Sequence, residues 1–497
     1  MRPMDGRACT LDFHGLYLEL VEQIEQRFPV TEWRLGDVDL WPLARMDLYL
    51  EMLRQHTAET APRRSPLPLR LAGSLAVPAQ NLWKSRGDLG HWVAGPRPAH
   101  AVILGDGASL DWTGAAWRDR FGEPVIQAFE RRGQNVFLMQ GGALRRLPWL
   151  RPTYAANQLA VRGALGARFD RAEAALPGQP GVVEFLQAHG VSARALAPEG
   201  LTHRGRLVGA TASAFEDVLR RVQPRLAFVV AWYAGLGPAF VLACRRQGIL
   251  AVDLQHGPQG PGHKAYRWWA QPTGGYGVMP QAFWSWSEAD AAQVRGWGGE
   301  GVHGGHPQLA PFLDDDDETT RIWDAAFDSL AGRPFDREIL VALQPLPGQQ
   351  AIWNSLAERI AASPPCWRWW IRRHPAALPD QDAVFGRLLA LAGPNVVIDA
   401  ANALPLPALL RRMSAVVSLA SGAASEGAVF GVPALFLSRL AAAMFPDQIA
   451  GGLADIVDPA DVVARIASLP PHPLRPDVAP APPLDATLDR LEAMAGS

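Results

Sequence analysis

The stretch that decides the fold is residues 415–438, AVVSLASGAASEGAVFGVPALFLS. It begins with a short apolar run, continues through a turn of small residues into a segment with helical spacing, and ends in a second apolar run. Short apolar runs bounded by turns are typical of buried strands, and a helix between two such strands is the unit of a parallel sheet. The stretch therefore predicts strand, turn, helix and strand in an α/β domain.

The same alternation extends upstream of this stretch. REILVALQPL and WRWWIRRHP are apolar strands separated by the helical segment QAIWNSLAERIAA, and NVVIDA is a further strand. We therefore predict a doubly wound α/β domain over residues 316–470. The acidic run from Asp314 to Glu318, at its start, is expected to be a solvated segment that caps the following helix rather than a metal site.

A second alternation of strands and helices occupies residues 96–315. AHAVILGDG, NVFLMQGG, PRLAFVVAWY, ILAVDLQHG and AFWSWS are the predicted strands. We predict a second doubly wound domain here, with a helical insertion over residues 152–223. The stretch from Leu226 to Cys244 carries no charge and approaches the length of a membrane span, but Gly235, Gly237 and Pro238 interrupt it. We interpret it as strand, turn and helix.

The two ends of the chain differ from these domains. Residues 1–95 contain two segments of helical periodicity around a predicted short strand or hairpin, VTEWRLGDVDL, and then a connection rich in Pro, Arg and Gly. Residues 471–497 begin with a Pro-rich segment and end with an amphipathic helix. We expect a helical N-terminal extension and a closing C-terminal helix.

Composition limits the possible classes of function. The 497 residues carry 47 Lys and Arg against 49 Asp and Glu, a formal net charge of −2, which removes the electrostatic case for a nucleic-acid or anionic-membrane binder. Three cysteines are too few for a disulfide framework and favour a reducing compartment. The first residues contain no apolar segment of a secretory signal. We expect a cytoplasmic protein with at most peripheral contact with the inner membrane.

Small and polar residues occupy the turn of the deciding stretch. Ser421 and Gly422 lie in the predicted turn, and Ser425 and Glu426 follow at the start of the helix. Backbone N–H groups and hydroxyls at such a turn suit a phosphate, and a carboxylate there suits ribose hydroxyls. The alternative is that small residues only allow the helix and strand to pack closely.

A second polar cluster ends the strand WRWWIRRHP. Arg372, Arg373 and His374 can donate hydrogen bonds to a phosphate from this strand end, or they form an ordinary strand-end cluster. Gln344 ends the preceding strand, and the carboxyl ends of parallel strands meet at one edge of a sheet. These residues are therefore candidates for the same ligand site.

Taken in order, these segments resemble the C-terminal half of GT-B glycosyltransferases. SEGAVFGVPALFL is similar to the signature whose acidic residue binds the donor ribose, and the Arg-His-Pro and Ser-rich segments are most similar to those of bacterial capsule, Kdo and sialic-acid transferases. The resemblance spans residues 100–460. It implies two Rossmann-like domains that face a cleft, with His374, Ser421 and Ser425 holding the nucleotide phosphates of the donor.

The first half of the chain agrees with this resemblance. VDLQHGPQGPGHKAY, from Val252 to Tyr266, resembles a loop of bacterial surface-polysaccharide transferases. The resemblance implies that Gln255, His263 and Tyr266 contact the acceptor or the sugar. One departure concerns stereochemistry, because many retaining GT-B enzymes have a pair of glutamates near the donor site and Ser418 stands where the first would be.

Three residues at strand ends of the first half are candidates for the catalytic base: His256, Asp106 and Asp111. A histidine near its ordinary pKa needs little tuning to act as a base, whereas burial or a neighbour must raise the pKa of an aspartate. Turn formation and helix capping are the alternative roles of the aspartates. A structural or substrate-contacting role is the alternative for His256.

The sequence therefore predicts a glycosyltransferase that needs no metal or other cofactor and moves a sugar from a nucleotide sugar to a surface-glycan, lipid-linked or related acceptor. The Arg-His-Pro and Ser-rich resemblance favours a CMP-sugar as the donor, with UDP- and GDP-sugars next. Two alternatives stay open. A nucleotide-sugar 2-epimerase of the same fold needs no acceptor, and a non-catalytic assembly protein on a transferase scaffold binds no nucleotide.

Overall fold

A computed structural model describes residues 9–58, 95–113, 115–141, 148–332, 334–344, 349–374, 384–391, 393–471 and 482–496. These residues form two compact units. The N-terminal unit contains the described residues of Gly15–His256 and Lys264–Pro307, together with the C-terminal helix. The C-terminal unit contains those from Gln308 to residue 471, the segment Gly257–His263 and the start of the first helix as far as His14. The predicted Pro-rich connection and the Pro-rich start of the tail lie outside the described residues.

The N-terminal unit is built on parallel strands. Its described strands are β1 (Arg34–Leu35), β2 (Val38–Asp39), β3 (Ala101–Gly105), β4 (Leu110–Trp112), β5 (Trp117–Asp119), β6 (Val136–Gln140), β7 (Tyr154–Ala155), β8 (Leu226–Val230), β9 (Leu250–Leu254), β10 (Ala282–Ser285) and β11 (Glu300–His303). Seven of them form one parallel sheet in the order β11-β10-β9-β8-β3-β6-β7. Strands β3, β8 and β9 are buried along their whole length, as expected of parallel strands with both faces covered.

Helices cover this sheet and extend the N-terminal unit. They are α1 (Cys9–Arg27), α2 (Trp41–Ala58), α3 (Gly122–Arg131), α4 (Asn157–Gly166), α5 (Gln179–Ala188), α6 (Pro198–Val222), α7 (Gly237–Arg246) and α8 (Glu288–Gly296), with short 3-10 turns at Val30–Glu32, Gly107–Ser109 and Arg194–Leu196. The C-terminal helix, Leu484–Gly496, also belongs to this unit, because Leu488 and Leu491 pack into the core formed by β3, β8 and α3.

The C-terminal unit repeats this architecture around a six-stranded parallel sheet. Its strands are β12 (Arg337–Ala342), β13 (Trp367–Arg372), β14 (Val396–Val397), β15 (Ala415–Ser418), β16 (Ala434–Phe436) and β17 (Ala454–Ile456), in the order β14-β13-β12-β15-β16-β17. Its helices are α9 (Ala310–Leu313), α10 (Glu318–Ala331), α11 (Gln350–Ala361), α12 (Gly386–Leu389), α13 (Asp399–Ala403), α14 (Leu406–Leu410), α15 (Ala423–Val429), α16 (Leu440–Met444), α17 (Pro446–Ala450) and α18 (Val462–Ala467), with a 3-10 turn at Pro459–Asp461; the C-terminal helix of the chain is α19.

The strand order confirms the predicted fold class. When strands are counted along the chain within each sheet, both sheets have the order 3-2-1-4-5-6, and the N-terminal sheet continues with a seventh strand. This is the order of the doubly wound Rossmann fold. The chain therefore consists of two Rossmann-like α/β domains with added helices.

Several local predictions can be compared with the structure. Of the short strand or hairpin predicted in VTEWRLGDVDL, the structure has the hairpin, the antiparallel pair β1–β2. Asp317 in the acidic run caps α10 by accepting a hydrogen bond from the Thr319 N–H at 2.7 Å, as expected. The stretch from Leu226 forms strand β8, a Gly-rich turn and α7, and none of the described helices is long and apolar enough to cross a bilayer.

Two elements were not predicted. The region 152–223, expected to be helical, begins with strand β7, which pairs in parallel with Met139 and Gln140 of β6. The residues after Asp106, expected to lead from a turn into a helix, form the hairpin β4–β5 before α3. Both elements are only two or three residues long, too short to show a periodic pattern.

A buried ion pair attaches α1 and α2 to the segment 264–270. Arg45 is fully buried and donates to Glu25 at 2.9 Å, and the guanidinium lies 4.2 Å from the centre of the Trp268 ring. The second oxygen of Glu25 accepts hydrogen bonds from the N–H groups of Trp269 and Ala270 at 2.8 and 3.2 Å. The charges are thus compensated by several partners, which is the condition for burying them.

Removal of one partner of this pair is expected to destabilise the N-terminal unit strongly. Arg45→Met leaves the Glu25 carboxylate buried without its counter-ion, so we expect a loss of about 3–5 kcal/mol in the free energy of unfolding. Urea unfolding followed by fluorescence measures it. Arg387→Met is the control, because Arg387 and Glu358 form an ion pair with both side chains 62% exposed, and we expect a change within about 0.5 kcal/mol. Equal stability of both variants would contradict this role of Arg45.

Candidate functional site

The strand order of each sheet creates one position where the chain connections reverse. In the N-terminal sheet this position lies between β3 and β8, and in the C-terminal sheet between β12 and β15. The crossovers from such neighbouring strands leave toward opposite faces, so a crevice opens outside their carboxyl ends, and ligands of open α/β sheets bind there. We call the two regions the N-terminal crevice and the C-terminal crevice.

Hydrogen bonds join the two loops of the C-terminal crevice. Gln344, directly after β12, accepts a hydrogen bond at its Oε1 from the Ala420 N–H at 2.7 Å. The buried Ser418 Oγ accepts one from the Ser421 N–H at 3.2 Å, and the Ser421 Oγ accepts one from the Ala423 N–H at 3.3 Å. The structure therefore places the predicted Gln344 and Ser421 together at the switch point.

The remaining predicted residues of this turn follow on α15. Gly422 precedes the helix, Ser425 is half-buried, and the Glu426 side chain is 4% exposed. A Cβ at Gly422 would lie 3.3 Å from the Cδ of Pro258. The small residue at 422 thus permits the segment Gly257–His263 to approach the turn.

This segment, the middle of the predicted acceptor loop, belongs to the C-terminal unit. The Gly262 N–H donates to the Ala443 carbonyl oxygen at 2.9 Å, and a Cβ at Gly260 would lie 2.5 Å from the Met444 carbonyl oxygen. His263 is half-buried and its N–H donates to the Gly260 carbonyl oxygen at 2.8 Å. His263 therefore belongs to the C-terminal unit, whereas Gln255 and Tyr266 belong to the N-terminal unit.

The predicted basic cluster ends β13, next to β12 in the sheet. The Arg372 guanidinium donates to the carbonyl oxygens of Ala401 and Leu404 at 2.5 and 2.6 Å, at the end of α13. Arg373 is held through its backbone N–H, which donates to the Asn402 side chain at 2.9 Å. His374 is exposed, and the proline that follows it lies outside the described residues. Arg372 is thus the member of the cluster whose guanidinium is bonded to the end of α13.

The N-terminal crevice begins with Asp106, which a buried network holds in place. Asp119 accepts hydrogen bonds from the Gly122 N–H at 2.8 Å, from the Gln140 side chain at 2.6 Å and from Ser109 at 3.2 Å. Burial raises the pKa of Asp119. A Cβ at Gly105 would lie 2.0 Å from an Asp119 oxygen, so the strand must end in glycine for the network to form.

Tyr233 and His256 meet beside this crevice, after β8 and β9. The Tyr233 hydroxyl lies 3.2 Å from Nε2 of His256, and Nδ1 lies 3.3 Å from the Leu254 carbonyl oxygen. Because a carbonyl only accepts, we assign the proton to Nδ1, which leaves Nε2 as the acceptor of the tyrosine hydroxyl. Burial lowers the pKa of His256 to about 4 and raises that of Tyr233. Both are therefore neutral near pH 7.

Further titratable groups lie behind this pair. Asp253 is fully buried and accepts a hydrogen bond from the Tyr266 hydroxyl at 2.7 Å, and burial raises its pKa to about 8. The Lys264 ammonium lies 4.8 and 5.5 Å from the ring centres of Tyr49 and Tyr233, and burial lowers its pKa to about 8. The predicted contact Tyr266 is thus a buried partner of Asp253.

An aromatic cluster with a buried histidine forms the other side of this region. His306, after β11, stacks on Trp286 with ring centres 3.9 Å apart, and Phe121 lies 6.5 Å from it. Neither ring nitrogen of His306 has a hydrogen-bond partner among the described residues. Burial, with a smaller effect of Arg120, lowers its pKa to about 3. The predicted contact Gln255 is 2% exposed and accepts a hydrogen bond from the Trp286 N–H at 2.5 Å.

Other polar residues of this region were not singled out in the sequence. Tyr233 comes three residues after the end of the apolar strand β8, a signal that could have identified it. The contacts of Lys264 with Tyr233 and of Asp253 with Tyr266 depend on the tertiary structure. The predicted Asp111 lies in β4, where its backbone is opposite that of Arg118 in the antiparallel strand β5. Within the described ranges, no three His, Cys, Asp or Glu side chains are arranged to hold a metal ion.

A cavity of about 590 Å³ opens at the N-terminal crevice. Its walls include the ends of the two switch-point strands, Leu104–Asp106 and Val230, and the turn before α7. Helices α4 and α6 complete it. The volume lies within the range of small-molecule sites.

Comparisons with known proteins give the following. No protein-family model matches the chain, and no curated protein matches it. Among solved structures, UDP-GlcNAc 2-epimerase from Neisseria meningitidis is 14% identical with a TM-score of 0.49, covering 80% of this chain and 100% of that one. UDP-GlcNAc 2-epimerase from Methanocaldococcus jannaschii is 12% identical with a TM-score of 0.47, covering 80% of this chain and 99% of that one. The glycosyltransferase SnogD from Streptomyces nogalater is 14% identical with a TM-score of 0.37, covering 81% of this chain and 96% of that one. The fold assignment rests on the strand orders described above.

The buried His306 predicts a specific dependence of stability on pH. Its pKa is about 3 in the folded chain and about 6.5 in the unfolded chain. Between these values the unfolded state binds a proton that the folded state does not, so stability falls as the pH drops through this window. Asp253, with its raised pKa, has the opposite effect. A single variant at His306 isolates the histidine contribution.

We therefore expect the free energy of unfolding of His306→Phe, relative to that of the wild type, to rise by about 2 kcal/mol when the pH is lowered from 6.5 to 4.5. Urea unfolding at the two pH values measures this difference. His203→Phe is the control, because His203 is exposed on α6. A pH-independent difference between His306→Phe and the wild type would contradict the neutral buried state of His306.

Proposed function

We propose that the chain is a GT-B glycosyltransferase that binds a nucleotide-sugar donor in the C-terminal crevice and an acceptor in the N-terminal crevice. One observation carries the proposal. Both sheets have the Rossmann order, and the switch-point loops contain the residues that the sequence assigned to the donor and to the base, Gln344 and Ser421 in one sheet and Asp106 in the other. Two crevices of this kind suit an enzyme with two substrates.

In the C-terminal crevice, the turn of Ser421 and Gly422 is proposed to hold the donor phosphates through hydroxyl and N–H groups. Arg373 and His374 add charge-assisted hydrogen bonds from the neighbouring strand end. Glu426 is proposed to accept hydrogen bonds from the ribose. These residues stabilise the leaving nucleotide without a metal ion. A CMP-sugar is the first donor to test, followed by UDP- and GDP-sugars.

Asp106 is the base that the geometry favours. Asp106 lines the cavity, and the hydrogen bonds that it accepts from Ser109 go to its backbone carbonyl oxygen. His256 is less suited, because its unprotonated nitrogen, Nε2, accepts a hydrogen bond from the Tyr233 hydroxyl and its pKa is only about 4. In an inverting transfer, an acceptor hydroxyl oxygen bonds to the anomeric carbon as the bond to the donor phosphate breaks. The hydroxyl proton passes to Asp106, and the nucleotide leaves with the bonding electrons.

The alternatives differ in what they require. A nucleotide-sugar 2-epimerase converts its substrate without an acceptor, and a non-catalytic assembly protein binds no nucleotide. The cavity beside Asp106 favours the transferase, because it provides space for a second substrate in the N-terminal unit. Turnover of the donor only in the presence of an acceptor supports the transferase, and interconversion of the nucleotide sugar alone supports the epimerase.

Nucleotide binding tests the donor site. We expect one of CMP, CDP, UDP and GDP to raise the melting temperature clearly, and His374→Ala to weaken binding of that nucleotide by roughly tenfold or more, the worth of a charge-assisted hydrogen bond. His374 is exposed, so folding should be preserved. His203→Ala, an exposed histidine of the other unit, is the matched control. No response to any nucleotide would refute both enzyme hypotheses, and unchanged affinity in His374→Ala would exclude this residue from the site.

Replacement of the base tests the acceptor side. Asp106→Asn keeps the size of the side chain but accepts no proton, so we expect kcat for sugar transfer to fall by roughly 10²–10⁴-fold with the nucleotide affinity unchanged. His256→Gln should lower kcat much less. A larger loss in His256→Gln than in Asp106→Asn would assign the base to the histidine instead.

A further inference from the structure

The cavity at the N-terminal crevice has a lining of mixed chemistry. Two helices contribute faces at helical spacing, and the turn before α7 adds small residues. Most of its side chains are apolar or small, among them Ala160, Val161 and Ala164 of α4, and its polar side chains include Asp106 and Arg204. Most of the wall therefore offers no hydrogen bond.

Small residues keep this space open. Helices α4 and α6 pack closely at Gly163, where a Cβ would lie 2.0 Å from the Thr211 hydroxyl, while Ala160 and Ala164 on the neighbouring face of α4 line the cavity. Ala164 is half-buried and the adjacent Leu165 is 54% exposed, away from the cavity. An apolar surface of this kind is favourable only when an apolar group covers it.

Arg204 adds a charge to this apolar wall. Its side chain is 33% exposed, and its buried Nε lies 3.9 Å from an Asp47 carboxylate oxygen, beyond hydrogen-bond distance. Arg204 lines the cavity, and the exposed part of its guanidinium can donate hydrogen bonds to an anionic oxygen of a ligand, since a guanidinium suits phosphate and carboxylate groups.

We propose that this cavity binds an amphipathic acceptor, in which an apolar chain or ring occupies the space between α4, α6 and α7 and an anionic oxygen group reaches Arg204. The hydroxyl that receives the sugar then lies at Asp106. This inference rests on the proposed transferase function, whose acceptor class it specifies. An acceptor with an apolar chain and one with an aromatic ring would both place an apolar group in this space and an anionic group at Arg204.

Binding of simple probes to the full chain tests the cavity. The probes are decyl phosphate, 1-naphthyl phosphate, 1-decanol and inorganic phosphate, each titrated calorimetrically below its aggregation limit. We expect decyl phosphate or 1-naphthyl phosphate to bind, the stronger of the two identifying a chain or a ring, and inorganic phosphate alone to bind far more weakly. Failure of both organic phosphates to bind would overturn the proposal.

Variants locate the bound probe. Ala164→Phe fills the cavity and should weaken the binding of the organic phosphate by roughly tenfold or more, and Val161→Phe serves as the second variant if the first does not fold. Leu165→Phe, one residue away on the exposed face, is the matched control and should bind as the wild type does. Arg204→Gln should weaken the organic phosphate but leave 1-decanol unchanged. Unchanged affinity of the organic phosphate in the folded cavity-filling variants would overturn the proposal.

The same variants separate this inference from the proposed function. Ala164→Phe should retain nucleotide binding, because the proposed donor residues lie in the other unit. Normal nucleotide binding without organic phosphate binding in the wild type would refute only the amphipathic acceptor. Absence of nucleotide binding in the wild type would refute the transferase.

Discussion

The structure depends on the rule that parallel strands are joined by right-handed crossovers. All carboxyl ends of a sheet then lie on one edge, and in the order 3-2-1-4-5-6 the first and fourth strands are neighbours whose connections leave toward opposite faces. Both sheets follow this order. Asp106 and Tyr233 therefore follow neighbouring strands of one sheet, and Gln344 and Ser421 follow neighbouring strands of the other, although each pair is far apart in sequence.

Glycine and other small residues at these edges permit what the strand order requires. Gly105 leaves room for the buried Asp119 network, and Gly422 leaves room for Pro258. The N-terminal unit also keeps several titratable groups away from water, at a free-energy cost that appears as the shifted pKa values of His256 and His306. Ion pairs with many partners, such as Arg45 with Glu25, hold the surrounding segments in place.

The sequence predicted the features that depend on local pattern. Continuous apolar runs identified the strands, and residues directly after them, such as Ser421 and Gln344, were assigned correctly to one edge of a sheet. The short strand Tyr154–Ala155 gave no such pattern, because it exists only through its pairing with β6. The pairing of Tyr233 with His256 and the position of Lys264 depend likewise on tertiary contacts, and no spacing in the chain indicates them.

The distribution of charge completes the argument for two different ligands. Net charge is close to zero for the whole chain, yet the C-terminal crevice has Arg373 and His374 at a strand end beside it, as an anionic donor requires. In the N-terminal crevice the histidines are neutral near pH 7, because burial has lowered their pKa values. Among the described residues, the wall of the cavity at this crevice contains one carboxylate, that of Asp106, and one guanidinium, that of Arg204. The proposed acceptor needs the first to accept its hydroxyl proton and the second to hold its anionic group.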